Sequence, residues 1–324
     1  MSPPAFLCRL VLSLGVDGVW WRRLATFGSV HAPEWFKRRA PPVVAAVLFA
    51  LLPDRRRGAI RNLQQVLHAD RRTASWAALR LFSEFAFCTS EAMEQYSPRP
   101  GPLRVDRPEP DPVRQALADG RGVVVLTGHL GSWVIAAKAL RDLGRPVNVV
   151  MAHEINATSQ DFVRSAREHA GMRLVLSDTS VFSSLGLVSA LRRNEIVAIQ
   201  FDRALGAGGV RMLPFLGAPA PFPSGPFVLA RLAHAPVVPV FVLRVGPRHY
   251  HIEAGQRIDV PRGARNPEAL DRVMDEAVRE LEDVVRGHPT QWFQFAPFWP
   301  DPAHAADANS AAAETERVSD TRSA

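Results

Sequence analysis

Apolar positions follow two different rhythms along this chain. From Asn62 to Met93 they recur at helical spacing, through Leu63, Val66, Leu67, Trp76, Leu79, Phe82 and Phe85. Residues 1–97 therefore read as a mostly helical region. Ser97 to Pro112 carries six prolines and reads as a connection or surface loop. After it the pattern changes to short apolar runs separated by helical stretches. Helices are predicted over Val113–Asp119, Gly131–Leu143, Ala157–Ala170, Val181–Arg193, Phe227–Ala233 and Asn266–Arg286. Strands are predicted over Gly122–Thr127, Pro146–Met151, Arg173–Leu176, Glu195–Phe201, Val237–Arg244 and Tyr250–Ala254. The Gly/Pro-rich run Ala204–Pro226 reads as a loop. The Ala/Ser/Asp/Thr-rich tail, residues 303–324, reads as disordered. Strands alternating with helices of this length predict an α/β fold: a mostly parallel central sheet flanked by helices, with an N-terminal helical region.

Composition narrows the setting. At 324 residues, 47% hydrophobic and 22% charged, the chain can bury a full core. The two cysteines, Cys8 and Cys88, lie far apart without metal-ligand spacing, so neither a disulfide framework nor a metal site is expected. The formal charge of +7 favours an anionic partner such as a membrane surface or an acidic carrier protein. Only Lys37 and Lys138 are lysines, and so lopsided a use of Arg weakens each single Arg as a phosphate signal. No run reaches the roughly 20 apolar residues that span a bilayer. The best candidate, Pro41–Leu52, lies between Lys37-Arg38-Arg39 and Arg55-Arg56-Arg57. It reads either as a buried helix or as a segment lying in the interface of an anionic bilayer. Phe6–Trp21 is also apolar and ends in Trp20-Trp21-Arg22-Arg23, which suits a membrane interface.

Two predicted strands end in polar residues: VVVLTG leads to His129, and IVAIQF leads to Asp202-Arg203. Ligands of open α/β sheets sit at the carboxyl ends of strands, which makes these residues active-site candidates. A neutral imidazole can take a proton from an attacking hydroxyl, and works best when a carboxylate orients it. An acid five residues after His129 would pair with it only if the histidine lies in the turn before the helix, because positions five apart on a helix point about 140° apart. Gly128 and Gly131 allow such a turn. A structural histidine is the bland alternative. Nucleic-acid binding rests on net charge alone, and no G-x-S-x-G elbow, P-loop or dinucleotide fingerprint occurs.

The block GHLGSW, residues 128–133, resembles the GH-(F/L)-G-N-W-(E/D) motif of the lysophospholipid acyltransferase superfamily, in particular its bacterial lipid A lauroyl/myristoyl acyltransferase branch. Four further blocks resemble the family in order: Asn62-Leu63 with Arg57, Arg61 and Glu91; Asp202-Arg203 with residues 210–220; residues 235–240; and Gln291-Trp292-Phe293 with Phe298-Trp299. Phe222-Pro223-Ser224-Gly225-Pro226 stands where glycerolipid acyltransferases carry F-P-E-G-T. The resemblance implies a glycerolipid acyltransferase-like fold over residues 98–302, preceded by a membrane-interface region at 1–97. It implies transfer of a fatty acyl group from acyl carrier protein or acyl-CoA to a hydroxyl of a lipid or glycolipid. No cofactor beyond that thioester cosubstrate and no nucleic-acid partner is implied. The place of action would be the cytoplasmic face of the bacterial inner membrane, peripheral or monotopic.

In the family the motif's His and acid form the catalytic dyad, so His129 carries over as general base. The acid does not, because Val134 holds its position. Asp202 and Glu154 are candidate replacements. His129 acting alone, and a catalytically impaired relative that binds acyl chains or acyl carrier protein, are the other readings. Substrate would be held by Gly128, Gly131 and Ser132 beside His129. Ser224 and Gly225 would offer backbone N–H groups to a phosphate or oxyanion, and Arg203 and Arg211 would hold a phosphate. The aromatic residues Phe215, Phe222, Trp292, Phe293, Phe295, Phe298 and Trp299 line an acyl groove or, more simply, form core.

Overall fold

The structure, a computed structural model, describes residues 26–95, 100–151, 172–176, 181–203, 209–261 and 267–300. Glu154, the helix expected over Ala157–Ala170, the N-terminal run Phe6–Trp21 and the tail 303–324 lie outside the described residues.

Three long helices come first: α1 (Glu34–Leu51), α2 (Pro53–Leu67) and α3 (Arg71–Glu94). α1 begins well before Pro41 and runs through Pro41 and Pro42. α2 starts with Pro53, whose missing N–H needs no partner there, and ends on His68 in a left-handed conformation. α3 is capped by Asp70, whose side chain accepts the Thr73 N–H.

The α/β part then runs β1 (Arg104–Asp106), α4 (Pro112–Ala118), β2 (Val123–Thr127), α5 (Trp133–Arg141), β3 (Val147–Met151), β4 (Arg173–Leu176), α6 (Val181–Arg192), β5 (Ile196–Gln200), β6 (Val210–Phe215), β7 (Ala218–Pro223), α7 (Gly225–Ala233), β8 (Val237–Gly246), β9 (His249–Ala254) and α8 (Pro267–Gly287). A seven-stranded sheet has the order β1-β9-β8-β2-β5-β3-β4. All neighbours in it are parallel except β8 and β9, which form an antiparallel hairpin. This is the mostly parallel, helix-flanked α/β sheet that the apolar pattern predicts.

β2 shows why its sequence is apolar throughout. Val123 and Val125 point into a core shared with Ala45, Leu63, Leu81 and Phe82 of the helical region. Val124 and Leu126 point into the opposite core, with Phe215, Phe222, Phe241, Val278 and Leu281. A strand covered on both faces has no polar side to present. The first three helices thus pack on the sheet itself.

Two elements differ from expectation. The Gly/Pro-rich run holds the antiparallel hairpin β6–β7, with Pro214 opposite Pro219 and Met212 opposite Pro221. A two-stranded ribbon leaves each strand a free edge, where a residue without an N–H is tolerated. Within the proline-rich connection, Arg104–Asp106 forms β1 and extends the sheet beyond β9.

Candidate active site

β2 and β5 lie side by side and in parallel, with Thr127 opposite Gln200. Their carboxyl ends therefore emerge together, and the residues two positions on, His129 and Asp202, meet. The Phe201 N–H donates to the Thr127 carbonyl at 3.0 Å, which carries the ladder one step past the strand ends. α5 begins only at Trp133, so His129 sits in the turn before the helix. Gly131 makes that turn possible, with φ +54°. A Cβ there would fall 1.8 Å from the Val242 carbonyl oxygen, so no other residue fits without moving β8.

Asp202 is fully buried, and both its carboxylate oxygens accept hydrogen bonds. Its Oδ1 lies 2.6 Å from His129 Nδ1. Its Oδ2 accepts the His129 backbone N–H at 2.8 Å, Trp292 Nε1–H at 2.9 Å and Gln294 Nε2–H at 3.0 Å. Burial pushes the carboxyl up, but the attraction and hydrogen bonds of His129, with help from Trp292, outweigh it and hold the group at about 2. The charged carboxylate thus stabilises the fold at neutral pH, and that contribution is lost as pH falls from about 4 toward 2. A carboxylate can only accept, so Nδ1 of His129 carries the proton and the neutral ring presents Nε2 as its basic nitrogen. The ring is 22% exposed, enough to meet a substrate from one side.

Val134 is 3% exposed, on the buried face of α5. The acid position of the GHLGSW block is thus filled by core, and the carboxylate facing His129 comes from the end of β5.

The remaining candidates fall into two groups. Gly128 stays with the pair, since a Cβ there would lie 3.3 Å from Asp202 Oδ2. Arg203 donates from Nε to Gln294 Oε1 at 3.1 Å and from Nη2 to the Phe293 carbonyl at 3.0 Å, which ties it to the segment that holds Asp202. Arg211 forms a two-pronged pair with Asp271 of α8 at 2.7 and 2.6 Å, so a phosphate would compete with that carboxylate. The Ser224 hydroxyl donates to the Gly209 carbonyl at 2.8 Å, closing the base of the hairpin, and Gly225 opens α7. Most of the aromatic candidates are core: Phe215, Phe222, Trp292, Phe293 and Phe298 are all buried.

Ser132 stands at the N-cap of α5, but its hydroxyl makes no capping bond. Its Oγ is buried and has no hydrogen-bond partner among the described residues. A buried hydroxyl without a partner is destabilising by about 1–3 kcal/mol. Ser132→Ala is therefore expected to leave the melting temperature unchanged or raise it, as read by thermal denaturation. A fall of several degrees would mean that the hydroxyl is bonded after all.

Sequence reasoning missed Gln294 and the part played by Asn62. The Asn62 side chain donates to the carbonyls of Gln294 at 3.0 Å and Ala296 at 2.7 Å, and accepts the Phe298 N–H at 2.9 Å. The recurrence of polar Gln291, Gln294 and Asn62 in otherwise apolar surroundings was the available signal.

A family model described as bacterial lipid A biosynthesis acyltransferase matches residues 10–300. The chain belongs to that family. No curated protein matches it. Membership in the lipid A acyltransferase family implies an acyl donor and a lipid acceptor in general terms, and the family is generally membrane-associated. Among the described residues no helix is long and apolar enough to cross a membrane. α1 does leave Trp35, Phe36, Val43, Val44, Val47 and Leu51 exposed to solvent.

Proposed function

We propose that this acyltransferase moves a fatty acyl group from a thioester, on acyl carrier protein or CoA, to a hydroxyl of a lipid or glycolipid, with His129 as general base. The observation that carries this reading is the 2.6 Å contact between His129 Nδ1 and the buried Asp202 carboxylate. The acceptor O–H gives its proton to His129 Nε2 as its oxygen bonds to the thioester carbonyl carbon. The carbonyl π electrons move onto oxygen, and the tetrahedral adduct collapses by breaking the C–S bond. The departing sulfur takes the proton back from the imidazolium, which leaves an ester, a free thiol and neutral His129. Asp202 fixes the tautomer and stabilises the imidazolium throughout. Arg203, Arg211 and the backbone at Ser132 and Ser224-Gly225 would hold phosphate or oxyanion groups of the substrates. The second carboxylate candidate is Glu154, which follows β3 in the sequence.

The exposed apolar residues of α1, with exposed Arg38 and Arg39 on the same helix and Arg55 and Arg57 on α2, suit an anionic bilayer surface. That supports peripheral or monotopic attachment at the cytoplasmic face of the inner membrane, where acyl donor and lipid acceptor meet.

The test is transfer of labelled acyl groups from acyl carrier protein and from CoA to lipid acceptors in vesicles. His129→Ala is expected to lower the rate about 10³-fold. Undiminished transfer by that variant removes His129 as the base. Val134 favours the competing reading of a catalytically impaired relative. Wild-type protein that binds acyl carrier protein but transfers nothing from either donor would establish it.

A further inference from the structure

Asp202 is held by a segment of chain some 90 residues away, and the arrangement goes beyond what burial alone requires. Residues 291–298 are laced to the catalytic turn through the Phe293 N–H on the His129 carbonyl at 2.7 Å, the Gly131 N–H on the Gln291 carbonyl at 3.3 Å, and a bridge between Leu130 and Trp292. On the far side Asn62 of α2 clamps the same segment. Gly58 lets α2 approach this closely: a Cβ there would fall 2.3 Å from the Phe295 carbonyl oxygen.

From this segment two side chains reach the carboxylate. Trp292 is 1% exposed, and its indole is fixed among Phe215, Phe298 and Trp299 at ring distances of 5.6, 5.0 and 6.0 Å. Its N–H can only donate, and it donates to Asp202 Oδ2. Gln294 is 3% exposed and donates from Nε2 to both the Asp202 carbonyl and Oδ2, each at 3.0 Å. Its amide cannot turn over, because Arg203 Nε–H needs Oε1 as acceptor.

We infer that Trp292 and Gln294 are positioning residues for the acyl-transfer reaction, setting both the rotation of the Asp202 carboxylate and the strength with which it holds the protonated His129 ring. This rests on His129 and Asp202 acting as proposed above. Three donors on Oδ2 leave Oδ1 alone to meet the ring, so the carboxylate cannot swing away from Nδ1. They also spread its charge toward Oδ2, which weakens its pull on the imidazolium. With one donor removed, charge gathers on Oδ1 and the protonated ring is held more tightly. The base then becomes available only at higher pH. Among the described residues, the other charges facing the pair are Arg203, which interacts with Asp202, and Arg55 of α2, which acts on Arg203. Trp292→Phe touches neither, whereas Gln294→Leu also removes the Oε1 that accepts Arg203 Nε–H, so the two variants are read together.

The experiment compares wild type, Trp292→Phe and Gln294→Leu in pH profiles of kcat/KM for acyl transfer, with His129→Ala as control and folded fraction checked by circular dichroism. Each variant is expected to lose about 10–100-fold in kcat, by analogy with the groups that orient metal-ligating side chains. KM is expected to stay near wild type, and the acid limb to move to higher pH. Gln294→Leu removes no packed ring, so it decides the matter if Trp292→Phe does not fold. An unmoved acid limb with kcat within about threefold of wild type, in a preparation where His129→Ala is inactive, overturns this inference alone. Full activity of His129→Ala would instead overturn the base assignment on which it rests.

Discussion

Asp202→Asn is expected to reduce acyl transfer by about 10⁴-fold while the protein stays folded, as loss of the orienting carboxylate does in Ser-His-Asp enzymes. Here the geometry says why. Asn has one acceptor and one donor end. The backbone N–H of His129, Trp292 Nε1–H and Gln294 Nε2–H all point at the Oδ2 position, so the amide oxygen must turn toward them. The amide NH2 then faces His129 Nδ1 at the 2.6 Å position now held by Oδ1. Two donors cannot share that contact, so the ring shifts its proton to Nε2. A ring protonated at Nε2 cannot accept the acceptor's proton there, and the base is lost without any change of shape. Steady-state transfer rates with near-native circular dichroism check this. A variant within tenfold of wild type would mean that Asp202 only fills space. Asp202→Ala is a poorer choice, since it leaves three buried donors facing a void.

The meeting of His129 and Asp202 was half legible in the sequence. Two apolar runs ending in polar residues announce two strands with chemistry at their carboxyl ends, and a parallel sheet puts such ends at one edge. Adjacency was not legible, because β3 and β4 intervene in sequence between β2 and β5 yet lie outside them in the sheet. The register that puts Thr127 opposite Gln200 has no local code either. The hairpin β6–β7 was hidden for a different reason. Pro214, Pro219, Pro221 and Pro223 read as breakers, and only the isolation of a two-stranded ribbon makes them admissible. Gln294 and Asn62 were hidden most completely. Their contact joins residues 232 apart, and neither polar side chain belongs to a periodic pattern that would mark it. Val134 was legible as the absence of the motif's acid, but not as a buried position on α5, nor was it legible that Asp202 faces His129 in its stead.

The largest expected effect on stability lies away from the chemistry, at Glu91 of α3. Its Oε1 accepts Arg244 Nε–H and Nη2–H, both at 3.1 Å, and the Arg248 backbone N–H at 3.2 Å. Its Oε2 accepts the Tyr250 hydroxyl at 2.7 Å. Arg244 is nearly buried, lies over the Phe87 ring at 4.3 Å and has a second carboxylate, Glu84, only at 3.3 Å. Burial pushes the fully enclosed Tyr250 hydroxyl up, so it stays protonated and needs an acceptor. Glu91→Ala would leave a buried guanidinium half-paired and a buried hydroxyl unpaired. The expected cost is about 3–5 kcal/mol, read from the denaturant midpoint. The same principle predicts that Glu91→Leu combined with Arg244→Met is less damaging than Glu91→Ala, because the buried guanidinium is removed with its carboxylate and the charge left over, on Glu84, reaches water. A cost below about 1 kcal/mol for Glu91→Ala would show that water reaches Arg244 and that the pair holds nothing together. The consequence extends to the candidate active site. Gln291 exchanges two 2.8 Å hydrogen bonds with the Arg244 backbone, and Gln291 begins the segment that carries Trp292 and Gln294 to Asp202. Loosening α3 from β8 and β9 therefore loosens the support behind the carboxylate. Glu91→Ala is expected to lose transfer activity at temperatures well below its own unfolding transition.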